Sequence, residues 1–496
     1  MARSSPVECI SDADLDATFG ADPDPDTQAE FDAYAGLNQR IGQSCGTKYG
    51  ADLRLFATEQ AARDMDAVRA AVGDEKLTYL GYSYGTLLGA TYAQLFPNKI
   101  RAFVLDGAVD PGQDFVAGSE GQAKGFERAF GNFATWCTQN AGRCPIAPDA
   151  KGAVTAAIDK ARVSPVRSGS REATAGWVFY AVISSLYTEQ GWEQLAKAID
   201  DLQAGDASGV FELADSYAER DADGQYSNLF DANAAVNCAD NAKKPSVAQI
   251  RSLQSQWRAK YPLFGAPLAV GMLTCAYWPA ERDPYPTGEA KGAPPILVVG
   301  TTGDPATPYE QTAKLADMLG VGVVLTWEGE GHTAYPQTSC VTETVDNYFI
   351  SLEVPRPVGA AHPVELLDHR PDGAQVLLDL LLLLVPERVR VDDQPAREVG
   401  GDQRDHQQHH RGDQQAGQDA PLPRRRVRVA VPDRGRRHDR PPHGVADALL
   451  LGEAVERTAD DDHPEVREYQ RARRVGQPHD AAIDLVQRPE QQLHAA

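Results

Sequence analysis

Residues 77–97, "LTYLGYSYGTLLGATYAQLFP", set one serine, Ser83, between Gly81 and Gly85. Upstream, Leu77, Thr78, Tyr79 and Leu80 form an apolar, β-type run of strand length. Downstream, Tyr84, Leu87, Leu88, Thr91, Tyr92 and Leu95 recur at helical spacing until Pro97. The serine therefore falls on a strand-to-helix turn. In a G-x-S-x-G elbow that turn strains the central residue, and side chains at the flanking positions would strike the neighbouring strand and helix, so Gly81 and Gly85 fit. The same placement sets the Ser83 hydroxyl at a helix N-terminus and turns the Tyr84 N–H toward any oxyanion formed beside it. The plainer alternative is a serine in an ordinary βα turn.

A serine hydroxyl is a poor nucleophile until a base takes its proton, so the elbow has meaning only if a histidine can reach it. Of eleven histidines, ten lie beyond residue 361, and only His332, in "WEGEGHTAYPQ", belongs to the part with globular composition. Asp304 precedes it by 28 residues, in a Gly-Asp-Pro turn just past the buried-type strand Ile296 to Val299. A second strand, "VGVVLTWEG", then leads to the histidine. The order Ser83, Asp304, His332, with the acid and the base each in a loop after a strand, is that of an α/β-hydrolase triad. Taken singly, Asp304 could be a turn former and His332 a loop residue.

With these residues in place, the chain resembles the tripeptidyl-aminopeptidase branch of the α/β-hydrolase serine peptidases, secreted or envelope-bound actinobacterial enzymes related to prolyl aminopeptidases. The stretches that carry the likeness are "TEQAARDMDAVRAAVGDEKLTYLGYSYGTLLGATYAQLFP", "VLDGAVDP", "WEQLAKAID", "AVNCAD", "ILVVGTTGDPATP" and "GEGHTAY", and together they span about residues 4 to 356. The resemblance implies an α/β-hydrolase fold, a mostly parallel sheet with an inserted helical cap. It also implies release of short peptides from a free N-terminus, with Ser83 as nucleophile, His332 as base and then acid, and Asp304 orienting the imidazole. No cofactor or metal is called for.

Composition fits that class. The chain has a formal charge of −23, and residues 1 to 356 hold 28 Lys and Arg against 46 Asp and Glu. Such an excess disfavours nucleic acid and anionic membranes as partners. The longest leucine-rich run, "LLDLLLLLV", is too short to span a bilayer, and "MARSSPVECI" lacks the apolar region of a signal peptide. A secreted or envelope location rests on the resemblance.

Seven cysteines form neither a C-x-x-C nor a Cys/His cluster, which argues against structural zinc. Cys137 and Cys144 are seven residues apart; Cys238 and Cys275 flank a helical stretch; Cys9 and Cys45 flank an aspartate-rich segment. Three disulfides are the expectation and reduced core thiols the alternative. Cys340 is left over, and similar proteins commonly end with a cysteine shortly after the last helix.

Four segments are expected: 1–110, the front of the hydrolase core with the nucleophile elbow; 111–291, a helical cap; 292–356, the rest of the core with the Asp and His loops; and 357–496, a low-complexity tail. Within the cap, "GFERAFGNFATWC", "AVTAAIDKARV", "WVFYAVISSLY", "WEQLAKAIDDLQAGD", "VFELADSYAE" and "VAQIRSLQSQWRAKY" carry apolar residues at three- and four-residue spacing. Its aromatics Trp177, Tyr180, Trp192, Tyr277 and Trp278 could line a cleft or fill the cap core. Asp240, in "NCAD", is a candidate carboxylate for the substrate ammonium, against a default capping or salt-bridge role.

Both ends of the chain read as unusual. Before Ser83 there is a polar segment and then a helix, Glu59 to Val72, with Thr58 as N-cap, but no Gly-rich motif of the kind that supplies a second oxyanion donor. The expectation is a chain that starts inside the domain, lacks the N-terminal strands and is weakened by the missing donor. From Pro357 onward there is no Lys, Ser, Asn, Cys, Met, Phe or Trp, where about eight each of Lys and Ser would be usual. That bias reads as GC-rich DNA translated out of frame, with a disordered linker as the alternative. Two rival functions stay open: an esterase or lipase with the same triad, and a non-catalytic remnant that binds peptide.

Overall fold

The computed structural model describes residues 6–241, 243–280 and 284–355. The segment 357–496 lies outside the described residues, as does the out-of-frame reading that falls on it. Strands β1 (Leu77–Tyr82), β2 (Ile100–Asp106), β3 (Val166–Ser168), β4 (Arg171–Ala173), β5 (Ile296–Gly303) and β6 (Gly322–Glu330) make two sheets. The main one is wholly parallel, in the order β1-β2-β5-β6, and β3 with β4 forms a small separate hairpin.

Apolar residues fill both faces of the main sheet, which is why β2 and β5 read as continuous hydrophobic runs rather than alternating ones. Phe103, Leu105, Ile296 and Val298 point to a layer that holds Tyr79, Leu88, Tyr92, Leu315 and Leu319. Ala102, Val104, Leu297 and Val299 point to the other, with Val341, Val345 and Tyr348. Helices Thr58–Ala71, Tyr84–Leu95 and Glu310–Leu319 supply the first layer, and Ser339–Ser351 the second. This is the α/β-hydrolase arrangement, a parallel sheet flanked by helices.

Between β2 and β5 the chain leaves the sheet for a helical insertion, here called the cap. The six helical stretches expected from periodicity coincide with Phe115–Gln139, Ala150–Val163, Ala175–Leu186, Gln190–Ala204, Ser208–Ala218 and Val247–Lys260, four of them having been read one or two residues too far at the C-terminal end. The first five share a core that contains Phe126, Phe133, Val178, Val182 and Ile199, joined by Phe264, whereas Val247–Lys260 buries Ile250 and Trp257 in a separate cluster with Phe31. Trp177 and Trp192 belong to that core, Trp278 is buried in another cluster, and Tyr180 and Tyr277 pack against the clusters. These aromatics fill cap cores.

The polar front segment holds two helices the sequence did not announce, Asp12–Gly20 and Gln28–Tyr49, the second closed at its start by a Thr27–Glu30 capping box. Both lean on the cap. Phe19 stacks against Trp177, and Gly42 lies so close to the Tyr277 carbonyl that an added Cβ would come within 2.6 Å of it. Disulfides Cys9–Cys45, Cys137–Cys144 and Cys238–Cys275 are present, and Cys340 is free and exposed.

Candidate active site

The turn after β1 places Ser83 at φ +51°, the left-handed side of backbone space that a non-glycine residue adopts only under constraint. Its N–H donates to the Asp106 carbonyl at 2.9 Å, and its own carbonyl accepts from the Thr86 hydroxyl at 2.7 Å. Helix Tyr84–Leu95 starts immediately afterwards, which sets the Tyr84 N–H at the helix N-terminus. The two glycines of the motif are not equivalent. A Cβ at Gly81 would lie 2.4 Å from the Gly85 carbonyl oxygen, whereas one at Gly85 would meet only the Tyr79 hydroxyl, at 3.1 Å.

Asp304 and His332 come from the ends of the adjacent strands β5 and β6. His332 Nδ1 lies 3.0 and 2.9 Å from the two Asp304 carboxylate oxygens. The carboxylate is itself fixed: it accepts from the N–H groups of Ala306 and Thr307 at 2.9 and 2.8 Å and from the Thr307 hydroxyl at 2.9 Å. This web holds the acid aimed at Nδ1, which leaves Nε2 as the working nitrogen.

Ser83 and His332 are each placed against the end of β2, and no hydrogen bond joins their side chains. The Ser83 N–H binds the Asp106 carbonyl, and a Cβ at Gly107 would sit 3.1 Å from His332 Cε1. Gly107 has φ +73°, so both its backbone and its missing side chain make room for the imidazole. Ser83, Asp304 and His332 are buried, and among the described residues Ser83 Oγ and His332 Nε2 have no hydrogen-bond partner. Buried polar atoms without partners are scarce in folded proteins and are expected where a substrate supplies the missing bond.

The cap takes part in holding the base. Tyr187, at the end of helix Ala175–Leu186, accepts the His332 N–H at its carbonyl at 2.8 Å, and its ring meets the imidazole edge-on with centroids 5.3 Å apart. Arg128, on helix Phe115–Gln139, donates to the Asp304 carbonyl at 3.1 Å. Neither residue was flagged by the sequence, because neither belongs to a local motif.

Asp240 ends helix Leu229–Asp240 of the cap and is buried. Its carboxylate accepts from the Thr58 N–H at 2.8 Å and from the Thr58 hydroxyl at 2.6 Å. That hydroxyl also lies 2.7 Å from the Tyr84 hydroxyl. Thr58 is thus the first residue of its helix, not the N-cap, and the cap reaches across to close that helix's N-terminus with a carboxylate. Asp240 and Tyr84 are linked through one hydroxyl, and Tyr84 follows Ser83 directly.

Asp106 was quoted in the sequence without a role. It is fully buried, and its carboxylate accepts the Ala334 N–H at 3.0 Å and the Tyr335 N–H at 2.7 Å. Burial pushes its carboxyl up to about 6, against the bonds from Tyr335 and Ala334 that hold it down.

A parallel sheet with a strained serine after one strand, and an Asp–His pair from the loops of two more, defines a serine hydrolase of the α/β-hydrolase class. The family described as TAP-like protein matches residues 261–361. Serine protease Hip1 of Mycobacterium tuberculosis is 38% identical over 384 residues, covering 73% of this chain and 72% of the relative. Carboxylesterase B of the same organism is 36% identical over 378 residues, 72% of this chain and 70% of that protein. A tripeptidyl aminopeptidase of Streptomyces lividans is 27% identical over 363 residues, 71% and 66%. The chain belongs to the TAP-like α/β-hydrolase family, and its relatives support a peptidase or esterase activity.

Proposed function

We propose that this chain is a serine exopeptidase that releases short peptides, tripeptides by the resemblance, from substrates with a free N-terminus. What carries the reading is the pair of buried, unpartnered atoms, Ser83 Oγ and His332 Nε2, with Nδ1 of the same imidazole held by Asp304. In this reading Ser83 Oγ attacks the scissile carbonyl carbon as its proton passes to His332 Nε2. The oxyanion forms against the Tyr84 N–H, the C–N bond breaks, and His332 returns the proton to the leaving amine. Water then repeats the sequence on the acyl-serine and frees the peptide acid. Asp304 keeps the tautomer and stabilises the imidazolium.

A second reading, an esterase, has the more similar carboxylesterase in its favour. Free and N-acetylated tripeptide anilides, with a p-nitrophenyl acyl ester beside them, separate the two. An exopeptidase with a buried anchor for the ammonium loses about 1–3 kcal/mol, roughly ten- to a hundredfold in rate, when the N-terminus is blocked. Equal rates on the two anilides would sink the exopeptidase reading, and turnover of the ester alone would favour the esterase. Asp240 is the proposed anchor. If it binds the ammonium, Asp240→Asn abolishes the discrimination; if it only closes the helix at Thr58, both anilides slow alike. The three disulfides support an oxidising compartment such as the cell exterior or envelope. Among the described residues no helix is long and apolar enough to cross a membrane.

A further inference from the structure

Asp106 is the buried ionisable group beside the site that the proposed reaction leaves without work. It ends β2, where an apolar residue would serve the sheet, yet it carries a carboxylate whose ionisation burial opposes and the nearby Asp304 opposes further. The charged and titratable groups that bear on it are His332 and Asp304, with the Tyr82 phenol beside them.

We propose that Asp106 is the positioning residue that sets the register between nucleophile and base, its main chain fixing the Ser83 turn and its carboxylate fixing the backbone that follows His332. The proposal rests on the reading of Ser83 and His332 given above. The Ser83 N–H donates to the Asp106 carbonyl at 2.9 Å. Ala334 N–H lies 3.0 Å from each carboxylate oxygen, and Tyr335 N–H lies 2.7 Å from Oδ2. One residue thereby grips both partners.

The base loop needs that grip. Thr333, between His332 and the two clamped amides, sits at φ +67°, where a β-branched residue is strained. Such a conformation persists only where its surroundings over-determine it. Here they do so on both sides: the Tyr187 carbonyl holds the His332 N–H, and the Asp106 carboxylate holds the next two amides beyond Thr333. Released on the far side, the loop can relax and carry the imidazole away from Ser83.

The test compares Asp106→Asn and Asp106→Ala with wild type in the full chain. In Asp106→Asn the amide oxygen at the Oδ2 position still accepts both N–H groups, but the NH2 now stands where the Ala334 N–H had its second acceptor, so the clamp is weakened and the charge removed. In Asp106→Ala both acceptors go. Reactivity is read with a fluorophosphonate, in which Ser83 Oγ displaces fluoride from phosphorus, and loop order is read as amide hydrogen exchange at Ala334 and Tyr335.

Asp106→Ala should lose protection at those two amides and slow labelling by about a hundredfold, the scale of a misplacement near 1 Å. Asp106→Asn should keep part of that protection and slow labelling by about tenfold. In wild type, protonation of Asp106 below about pH 6 should add a further loss of similar size to the acid limb of the labelling rate. In Asp106→Asn that added loss should be absent. Unchanged amide protection in Asp106→Ala, or unchanged limb and labelling in Asp106→Asn, overturns the proposal. Should the alanine variant fail to fold, the asparagine variant decides. Should wild type resist the probe, the hydrolase reading fails while the exchange measurement still decides whether Asp106 holds the loop.

Discussion

Ser83 and Thr333 are two of the four non-glycine residues at positive φ among the described residues, and they stand on either side of the proposed reaction. Each such residue costs about 1–3 kcal/mol, which the packing around it must offset. Strain placed there is consistent with side chains held in position before substrate arrives. At this scale we predict that Ser83→Ala, His332→Ala and Asp304→Asn each lower turnover by about a thousandfold or more and leave the folded structure intact. Because such residues act as a unit, a Ser83→Ala/His332→Ala double variant should be hardly worse than either single one. Losses that multiply would count against a shared mechanism. As candidates these residues stand out in the sequence because a local motif points to the serine and a shortage of alternatives points to the histidine. Asp106 does not, since its work is done on amides 228 and 229 residues away in sequence. Nothing in "VLDGAVDP" announces that contact.

Among the elements, those with the strongest apolar periodicity were readable in advance: the elbow helix, the strands leading to Asp304 and His332, and six cap helices. The front helices Asp12–Gly20 and Gln28–Tyr49 were not, because they bury few residues on a largely polar surface and draw their order from contacts with distant segments. Phe19 finds Trp177, and the Asp231 carboxylate takes the Cys9 and Ile10 N–H groups. Sequence periodicity cannot show such partners. The elbow gives an element-scale prediction. A Gly81→Ala Cβ would collide with the Gly85 backbone at 2.4 Å and the Tyr79 ring at 2.6 Å, so this variant should lose about 1–3 kcal/mol. A Gly85→Ala Cβ meets only a hydroxyl, and alanine favours the helix by up to about 1 kcal/mol, so this variant should stay near wild type. Denaturant titration of the two decides it. Equal losses would mean that the motif's glycines serve a common purpose the contacts do not reveal.

Across the whole molecule, the three disulfides staple the segments whose order is not secured by the parallel sheet. Two of them, Cys9–Cys45 and Cys238–Cys275, share one small buried cluster with Leu53, Ala235 and Trp278, tying the front helices to the cap. The third, Cys137–Cys144, closes the end of helix Phe115–Gln139 beside the main cap core. Loop-closure entropy ranks them. Separations of 36 and 37 residues correspond to about 4 kcal/mol each, and a separation of 7 to about 2.5 kcal/mol, for the freedom removed from the unfolded chain. Replacing each pair by alanines and titrating with denaturant should therefore make the Cys137/Cys144 variant the least destabilised. Sharing a cluster has a further consequence. Removing both long-loop bridges should not give the sum of the separate losses, because the first removal already loosens residues that the second bridge holds. If the short bridge cost most, strain or packing around it would outweigh chain entropy. If the two long-loop losses simply added, the front helices and the cap would be ordered independently, and the contacts of Phe19 and Asp231 would not couple them.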